Sequence, residues 1–205
     1  MSTARDRLLA RLLSTYGEEP PPSTSSLRQI AARVGTSHAL LRYHFGSHAG
    51  VLTAMLVAQR AHDNDTLARD SATATFSEFV ERIWNLYTDP ERIARVRSFF
   101  LVVGLAVQDP EEFTEFIASL NDLTSLLIDV ARRDGDSDEI AALRATVTVA
   151  ALRGLLLQEV LAPGTLAEPA LRLILQLGPP PAEARATSGT GARPPCIKRG
   201  SSKRP

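Results

Sequence analysis

Residues 26–45 have the sequence SLRQIAARVGTSHALLRYHF, and this stretch determines the predicted fold. Its periodicity predicts a helix over 27–34 and a second helix after Ser37, with a tight turn between them. Gly35 suits the turn because a residue without a Cβ atom adopts the left-handed conformation at little cost. Ser37 can cap the second helix by accepting a hydrogen bond from one of its free amide groups.

The two helices have matching apolar faces. Apolar residues recur at helical spacing at Leu27, Ile30, Ala31, Val34, Leu40, Leu41 and Phe45. The small Ala31 lets the helices approach each other, and the larger Leu41 fills the angle between them. This pattern is typical of a helix-turn-helix motif, whose second helix enters the major groove of DNA. The alternative is an ordinary helical hairpin in a protein core.

The composition favours an all-α chain. Apolar residues make up 44% of the 205 residues, aromatic residues make up 5%, and Leu and Ala dominate. This length suffices for one large helical domain or two small ones. Further periodic segments predict helices over 3–16, 48–69, 76–88, 90–107, 110–133, 138–161 and 165–177, which makes about nine in all. Two of them, over 90–107 and 110–133, are predicted to start at Asp-Pro pairs.

The net charge of zero hides an uneven distribution. Residues 1–50 carry six arginines and three acids, a net charge of +3, whereas residues 51–178 carry −8. A basic head on an acidic body directs a polyanion to the head. Residues 179–205 carry +5 and are rich in Pro, Gly, Ser and Arg, which predicts a disordered basic tail. The tail either adds nonspecific DNA affinity or has no role.

Other features favour a soluble, cytoplasmic protein without a membrane partner. The single cysteine, Cys196, excludes a disulfide within the chain and suits a reducing compartment. The N-terminal segment is an amphipathic helix and not a signal peptide. The apolar stretches 99–107 and 145–161 are too short, or are interrupted by Arg153 and Glu159, to predict a membrane span.

The second helix of the motif carries polar groups that suit DNA. Arg42 could form two hydrogen bonds to a guanine edge or bind a phosphate, and Tyr43 and His44 can donate to phosphates. Thr36 and Ser37 lie where free backbone amides favour an anion.

Histidines at 38, 44 and 48 raise a metal site as an alternative. The Gly46-Ser47 pair breaks the helix between the last two, and no carboxylate or cysteine lies nearby to complete a ligand set. We therefore predict no metal.

The sequence carries no signature of catalysis. It has no G-x-S-x-G motif, no phosphate-binding loop and no C-x-x-C pair. The acidic pair at 111–112 lies in the first turn of a predicted helix, where acids favour the helix dipole. We predict neither an enzyme nor a cofactor.

The predicted body helices carry aromatic and polar residues on otherwise apolar segments. Such a set suits an internal apolar pocket with a few polar anchors, although core packing is the alternative for each residue. The candidates are Trp84, Tyr87, Phe99, Phe100, Gln108, Phe113, Phe116, Asn121, Arg153 and Gln158. The expected ligand is an apolar small molecule. The helices over 138–161 and 165–177 are apolar on more than one face, so each must bury two sides.

Over residues 5–60 the chain resembles the tetracycline-repressor (TetR) family of transcriptional regulators. The resemblance depends on order and spacing: a LLARLL helix ending at Gly17, then SSLRQIA at 25–31, VGTS at 34–37, LRYHFGS at 41–47 and Val-Leu at 51–52. It implies an all-helical homodimer in which each subunit has a three-helix DNA-binding head and a body of about six helices with an effector pocket. Residues 154–163 resemble the penultimate helix, which that family uses for dimerisation.

The resemblance also assigns site residues and domains. The implied DNA-contacting positions are Ser25 or Ser26, Thr36, Ser37, His38, Ala39, Leu40, Arg42, Tyr43, His44 and His48. The implied domains are a DNA-binding head over 1–63, with its motif at 26–45, and a ligand-binding and dimerisation body over 64–178. The dimer is expected to form through the helices over 138–161 and 165–177.

The sequence departs from the family pattern at the DNA face. Arg42 stands where Tyr is usual, and His48 stands where Lys is usual. The EEPPP segment at 18–22 lengthens the first loop. A neutral His48 supplies no charge to a phosphate, which predicts weaker or pH-sensitive DNA binding. Ala39 and Leu40 replace a more usual small-polar pair, so the operator is not predictable.

The sequence thus predicts a dimeric repressor that a small molecule releases from a palindromic operator in double-stranded DNA. One alternative from another class is a helical protein–protein interaction module without DNA binding. A second is a small helical enzyme acting on an apolar substrate.

Overall fold

Nine α-helices form the fold in the part of the chain that the computed structural model describes, residues 3–164 and 167–176. They are α1 (Ala4–Tyr16), α2 (Leu27–Val34), α3 (His38–Phe45), α4 (His48–Ser71), α5 (Phe76–Thr88), α6 (Ile93–Gln108), α7 (Thr114–Arg133), α8 (Asp138–Leu161) and α9 (Ala167–Gln176). These residues include no strand, and the predicted all-α class is confirmed. The predicted basic tail, with Cys196, lies outside the described residues.

Side-chain caps explain where most helices begin. The hydroxyl groups of six residues accept a hydrogen bond from the third amide of the following helix: Thr3, Ser26, Ser37, Ser47, Thr75 and Ser137. In three of them an acidic or amide side chain returns a bond to the cap backbone, which satisfies two free amide groups at once. The predicted cap at Ser37 is confirmed.

Of the two predicted Asp-Pro helix starts, the first is confirmed and the second is wrong. Asp89 accepts a hydrogen bond from the amide of Glu91 and caps a short 3-10 turn over Pro90–Arg92, and α6 follows directly at Ile93. Asp109 accepts from the amide of Glu112, but a turn follows and α7 begins only at Thr114. At this second place the aspartate and the proline specify a tight turn before the helix.

The head consists of α1, α2, α3 and the first turns of α4. Its core is a cluster of buried side chains from all four helices: Leu8, Leu12, Tyr16, Ile30, Ala31, Val34, Leu41, Phe45, Val51, Ala54 and Met55. Gly35 ends α2 in the left-handed conformation, at φ 69°, as predicted. Gly50 allows a closer contact, because a Cβ atom there would lie 1.9 Å from the carbonyl oxygen of Phe45.

The long helix α4 belongs to two cores. Val51 and Met55 pack in the head, whereas Leu52 and Leu56 pack against α6 and α7 with Phe113. The body, formed by α5 to α9 with the rest of α4, has a larger core built on α5, α7 and α8. A rotation or shift of α4 therefore changes the packing of head and body together.

Helix α8 is apolar on two faces, as predicted. One face is buried against the body core through small residues such as Ala141 and Ala145. The other face exposes a row of residues at helical spacing, here called the apolar stripe: Ile140, Leu143, Val147, Leu157 and Leu161. By length and composition α8 is also apolar enough to cross a membrane, and it packs against α7 and α9.

Candidate DNA interface and ligand cavity

Helix α3 buries one face in the head and exposes the other. Leu41 is fully buried and Phe45 is 8% exposed, which fixes the orientation of the helix. The opposite face presents Arg42 and Tyr43 to solvent, and Tyr43 is 82% exposed. An aromatic ring with so little contact gains no stability from burial at this position. The exposed face of α3 is thus suited to contact another molecule.

The remaining predicted DNA-contacting residues of this region lie on or beside the same face. Ala39 and Leu40 are exposed, His38 and Thr36 are half-buried, and the ring of His44 packs edge-on against Tyr43 at 4.9 Å. Ser37 is exposed and caps α3, with its hydroxyl oxygen 3.1 Å from the amide of Leu40.

The serines before α2 have different environments. The hydroxyl of Ser26 accepts from the amide of Gln29 and donates to the Gln29 side-chain oxygen, so both of its hydrogen-bonding roles are used in the capping box. Ser25 is half-buried outside that box.

Two departures from the family pattern contact each other. The Nε2 atom of His48 lies 3.1 Å from the carbonyl oxygen of Pro22, to which a ring N–H donates. The imidazole at the start of α4 thus holds the proline-rich loop.

Three arginines of the basic head have structural contacts. The guanidinium of Arg33 stacks over Tyr16 at 4.7 Å, that of Arg5 lies 5.5 Å from the Phe45 ring, and Arg11 donates to the carbonyl of Gly35. Arg28 and Arg42 are exposed. Some arginines of the head therefore contact other residues of the head, and others lie exposed on the surface that includes α3.

A buried ion-pair network joins head to body at a site here called the junction: Glu18, Asp63, Arg92 and Arg95. Asp63 on α4 is 3% exposed and accepts hydrogen bonds from Arg92 at 3.0 Å and Arg95 at 2.8 Å. The Nε atom of Arg95 lies 3.3 Å from Glu18, directly after α1. Beside it, Gln59 donates to the carbonyl of Gly17 at 2.8 Å.

The junction was missed at the sequence level. A usable signal existed, since residues 59, 60 and 63 are polar at positions of α4 that face inward by helical spacing. Arg92 and Arg95 have the same one-turn spacing. Charged residues of opposite sign on the inward faces of two helices indicate a buried ion pair between those helices.

A cavity of about 50 Å³ lies next to the junction, among α4, α5, α6, α7 and α8. Most of its wall is apolar. Its polar and charged wall residues are Arg60, Asp63, Tyr87, Arg95 and Arg153. Asp63 and Arg95 thus belong to the junction and to the cavity at once, so a ligand in the cavity would touch the link to the head.

Two of these arginines bind backbone carbonyls of α7. Arg60 donates to the carbonyl of Ser119 at 3.1 Å, and its guanidinium lies 5.3 Å from the centroid of Phe99. Arg153 donates to the carbonyl of Leu120 at 2.9 Å. Burial lowers the pKa of Arg153, and the positive charge of Arg60 lowers it further.

Tyr87 also lines the cavity. Burial raises the pKa of its phenol, and the charge of Asp63 adds to the effect. The Tyr87 hydroxyl therefore stays protonated, and it can donate a hydrogen bond or accept one.

The predicted ligand-binding residues fall into three groups. Tyr87, Phe99 and Arg153 line the cavity. Four aromatic residues are core residues near it: Trp84 and Phe100 in the body core, and Phe113 and Phe116 between α4, α6 and α7. The three amides, Gln108, Asn121 and Gln158, are exposed at the surface. Periodicity separates inward from outward positions poorly near helix ends, which is where Gln108 and Gln158 lie.

Solved structures with this arrangement of helices are transcriptional regulators. The chain matches a TetR transcriptional regulator from Legionella pneumophila with a TM-score of 0.62 and 18% identity, over 87% of this chain and 99% of that chain. It matches a putative TetR-family regulator from Mesorhizobium loti with a TM-score of 0.56 and 14% identity, over 86% and 98%. It also matches the regulator FadR from Bacillus subtilis, in complex with stearoyl-CoA, with a TM-score of 0.52 and 13% identity, over 82% and 96%.

At these identities the likeness is one of fold. No family model matches the sequence, and no curated protein matches it. The helices define a helix-turn-helix head on a helical body. The chain thus has the TetR-family fold, as its head motif predicted.

Loss of the central carboxylate should destabilise the protein strongly. Asp63→Ala leaves Arg92 and Arg95 without their shared partner, and removing one member of a buried ion pair costs about 3–5 kcal/mol. Urea unfolding should show this loss. Asp65→Ala is the matched control, because Asp65 lies on the same helix but is exposed, and its removal should cost less than about 1 kcal/mol. Equal losses in the two variants would contradict a central role for Asp63.

Proposed function

We propose that the protein is a homodimeric, sequence-specific DNA-binding regulator of transcription, and that it acts in the cytoplasm as a repressor released from a palindromic operator by a small molecule. The exposed face of α3 carries this proposal, because it presents Arg42 and Tyr43 on a helix that the head core holds rigidly. In a helix-turn-helix the second helix enters the major groove and its side chains reach base edges.

Each residue of this face has a role suited to its chemistry. Arg42 makes a bidentate contact to a guanine or binds a phosphate, and Tyr43 binds a phosphate or packs on a sugar. His38, Ala39 and Leu40 lie at the amino end of α3. Ala39 and Leu40 offer apolar contacts, as to a thymine methyl group.

The residues around α3 position the phosphate backbone. Thr36 and Ser37 lie beside the free amides at the start of α3, which attract an anion. Ser25 and His44 supply further donors. His48 acts through the loop: by holding Pro22 it fixes the segment that leads into α2.

The distribution of charge along the chain also supports DNA binding at the α3 face. Residues 1–50 carry +3 and residues 51–178 carry −8. A phosphate backbone is therefore attracted to the head and repelled by the body, which directs DNA to the α3 face.

Replacing Arg42 and Tyr43 together by Ala should weaken DNA binding. The expected loss is at least about 1–3 kcal/mol, the contribution of one good bidentate base contact. The measurement is fluorescence anisotropy with labelled DNA from upstream of the gene, and affinity should fall steeply with added salt because counterions are released.

Arg97→Ala is the control, since it removes an exposed arginine from the body helix α6. It should leave DNA affinity unchanged. If the double variant binds as tightly as this control, or if wild-type binding is insensitive to salt, the proposal fails. A helical protein–protein interaction module would then be the better interpretation.

The apolar stripe on α8 supports a homodimer. Val147 is 62% exposed and Leu161 is 75% exposed, so the row leaves a long apolar surface open to water. Surfaces of this kind mark protein–protein interfaces. Gly154 lies on α8 as well, and a Cβ atom there would meet nothing within 4 Å, which leaves space for a second helix to approach. With α9, the stripe would form a four-helix interface between two copies.

Charges placed in the stripe should dissociate the dimer. We expect Leu143→Glu with Val147→Glu to behave as a folded monomer in analytical ultracentrifugation, because two buried carboxylates without partners oppose association. Val107→Glu is the matched control: Val107 is 76% exposed on α6, away from the stripe, and this variant should remain a dimer. A double variant that sediments like wild type would exclude this interface.

The link from ligand to DNA is part of the same proposal. The cavity shares Asp63 and Arg95 with the junction, and α4 packs in both head and body. A ligand that favours another position of α4 would change the relative placement of the two heads and release the operator. The FadR structure, which holds stearoyl-CoA, supports ligand binding in a protein of this fold.

A further inference from the structure

The charges around the cavity are unequally compensated. The junction provides a carboxylate for Arg92 and Arg95 through Asp63, and Glu18 adds a second carboxylate beside Arg95. Among the described residues, the ion pairs of this region include neither Arg60 nor Arg153. Their hydrogen bonds go instead to the uncharged carbonyls of Ser119 and Leu120.

Two guanidinium groups in an apolar cavity carry a cost. Arginine stays protonated in proteins, so burial cannot remove the charge. Arg60 is 8% exposed, and its buried Nε atom has no hydrogen-bond partner. Arg60 is close enough to Arg153 for its charge to lower the pKa of Arg153. A bound anion would supply both the missing counter-charge and the missing acceptor.

We propose that the cavity binds a small amphipathic carboxylate, with its anionic group on Arg60 and Arg153 and its apolar body against Ile83, Phe99 and Leu152. This refines the expectation of a purely apolar ligand. The binding claim is independent of DNA, whereas its consequence for the operator rests on the proposed function.

The size of the cavity sets the length of the ligand. A volume of about 50 Å³ exceeds the roughly 10–15 Å³ that one water requires. It is smaller than the roughly 150 Å³ that holds a benzene ring, so a carboxylate with a short hydrocarbon chain enters only as the surrounding side chains move apart. A longer chain would require the helices around the cavity to separate.

Binding also has a structural consequence. A carboxylate on Arg60 and Arg153 would compete with the carbonyls of Ser119 and Leu120 for the same donors. These contacts tie α4 and α8 to α7. Weakening these contacts would allow α4 to shift, and the first turns of α4 form part of the head core.

Calorimetry on the full-length protein tests the proposal with hexanoate and its neutral counterpart, hexanamide. Hexanoate should bind at least about tenfold more tightly, because only the acid pairs with both guanidinium groups. Homologous acids from butanoate to decanoate should show an optimum length, since the cavity limits the apolar body.

Arg153→Met should abolish the preference for the acid. It should also raise the unfolding temperature of the ligand-free protein, because a half-buried charge without a counter-ion is replaced by an apolar side chain of similar length. Arg60→Lys retains the charge and should retain part of the preference, which covers the case that Arg153→Met folds poorly. Arg97→Met, on the exposed side of α6, should change neither property.

The proposal is wrong if no acid of the series binds, if hexanamide binds as tightly as hexanoate, or if Arg153→Met and Arg60→Lys both keep the wild-type preference. A separate titration of the DNA complex with hexanoate distinguishes the two claims. Binding of the acid without loss of DNA affinity supports this site and contradicts only the switching part of the proposed function.

Discussion

The ion pair between Asp63 and Arg95 is the interaction on which the rest of the structure depends. A carboxylate that is 3% exposed is tolerated only because two guanidinium groups bind it, and this requirement fixes α4 against the segment that leads into α6. Glu18 extends the network to the end of α1. Head and body are therefore joined by these ion pairs as well as by the apolar packing of α4 against α6 and α7.

Helix α4 takes part in the head core, the junction and the cavity. Its first turns complete the head core, its middle forms the junction, and Arg60 and Asp63 line the cavity. A helix that satisfies three environments at once has few positions that suit all of them. On the proposed function, a small change at the cavity would be transmitted along α4 as a rigid displacement and would not need a chain of flexible side chains.

Much of the fold was predictable because local rules were sufficient. The caps at Ser37 and Ser47, the turn at Gly35 and the helical periodicities gave the order of the helices. The second Asp-Pro pair misled because such a pair specifies a turn equally well with or without a helix directly after it. The exposed face of α3 was predictable because a short amphipathic helix has only one polar side.

The junction, by contrast, joins residues 18, 63, 92 and 95, and the cavity joins Arg60 to Arg153. Long-range polar pairs leave no local periodic signal beyond polar residues on an inward face.

Hydrogen exchange of the full-length protein, with and without its upstream DNA, tests the coupling between head and body most directly, since coupling between sites is reciprocal. DNA binding should change protection in residues 59–63 and 92–99 as well as in the head, and Glu18→Gln should confine the change to the head. Changes limited to residues 3–50 in the wild-type protein would contradict the account.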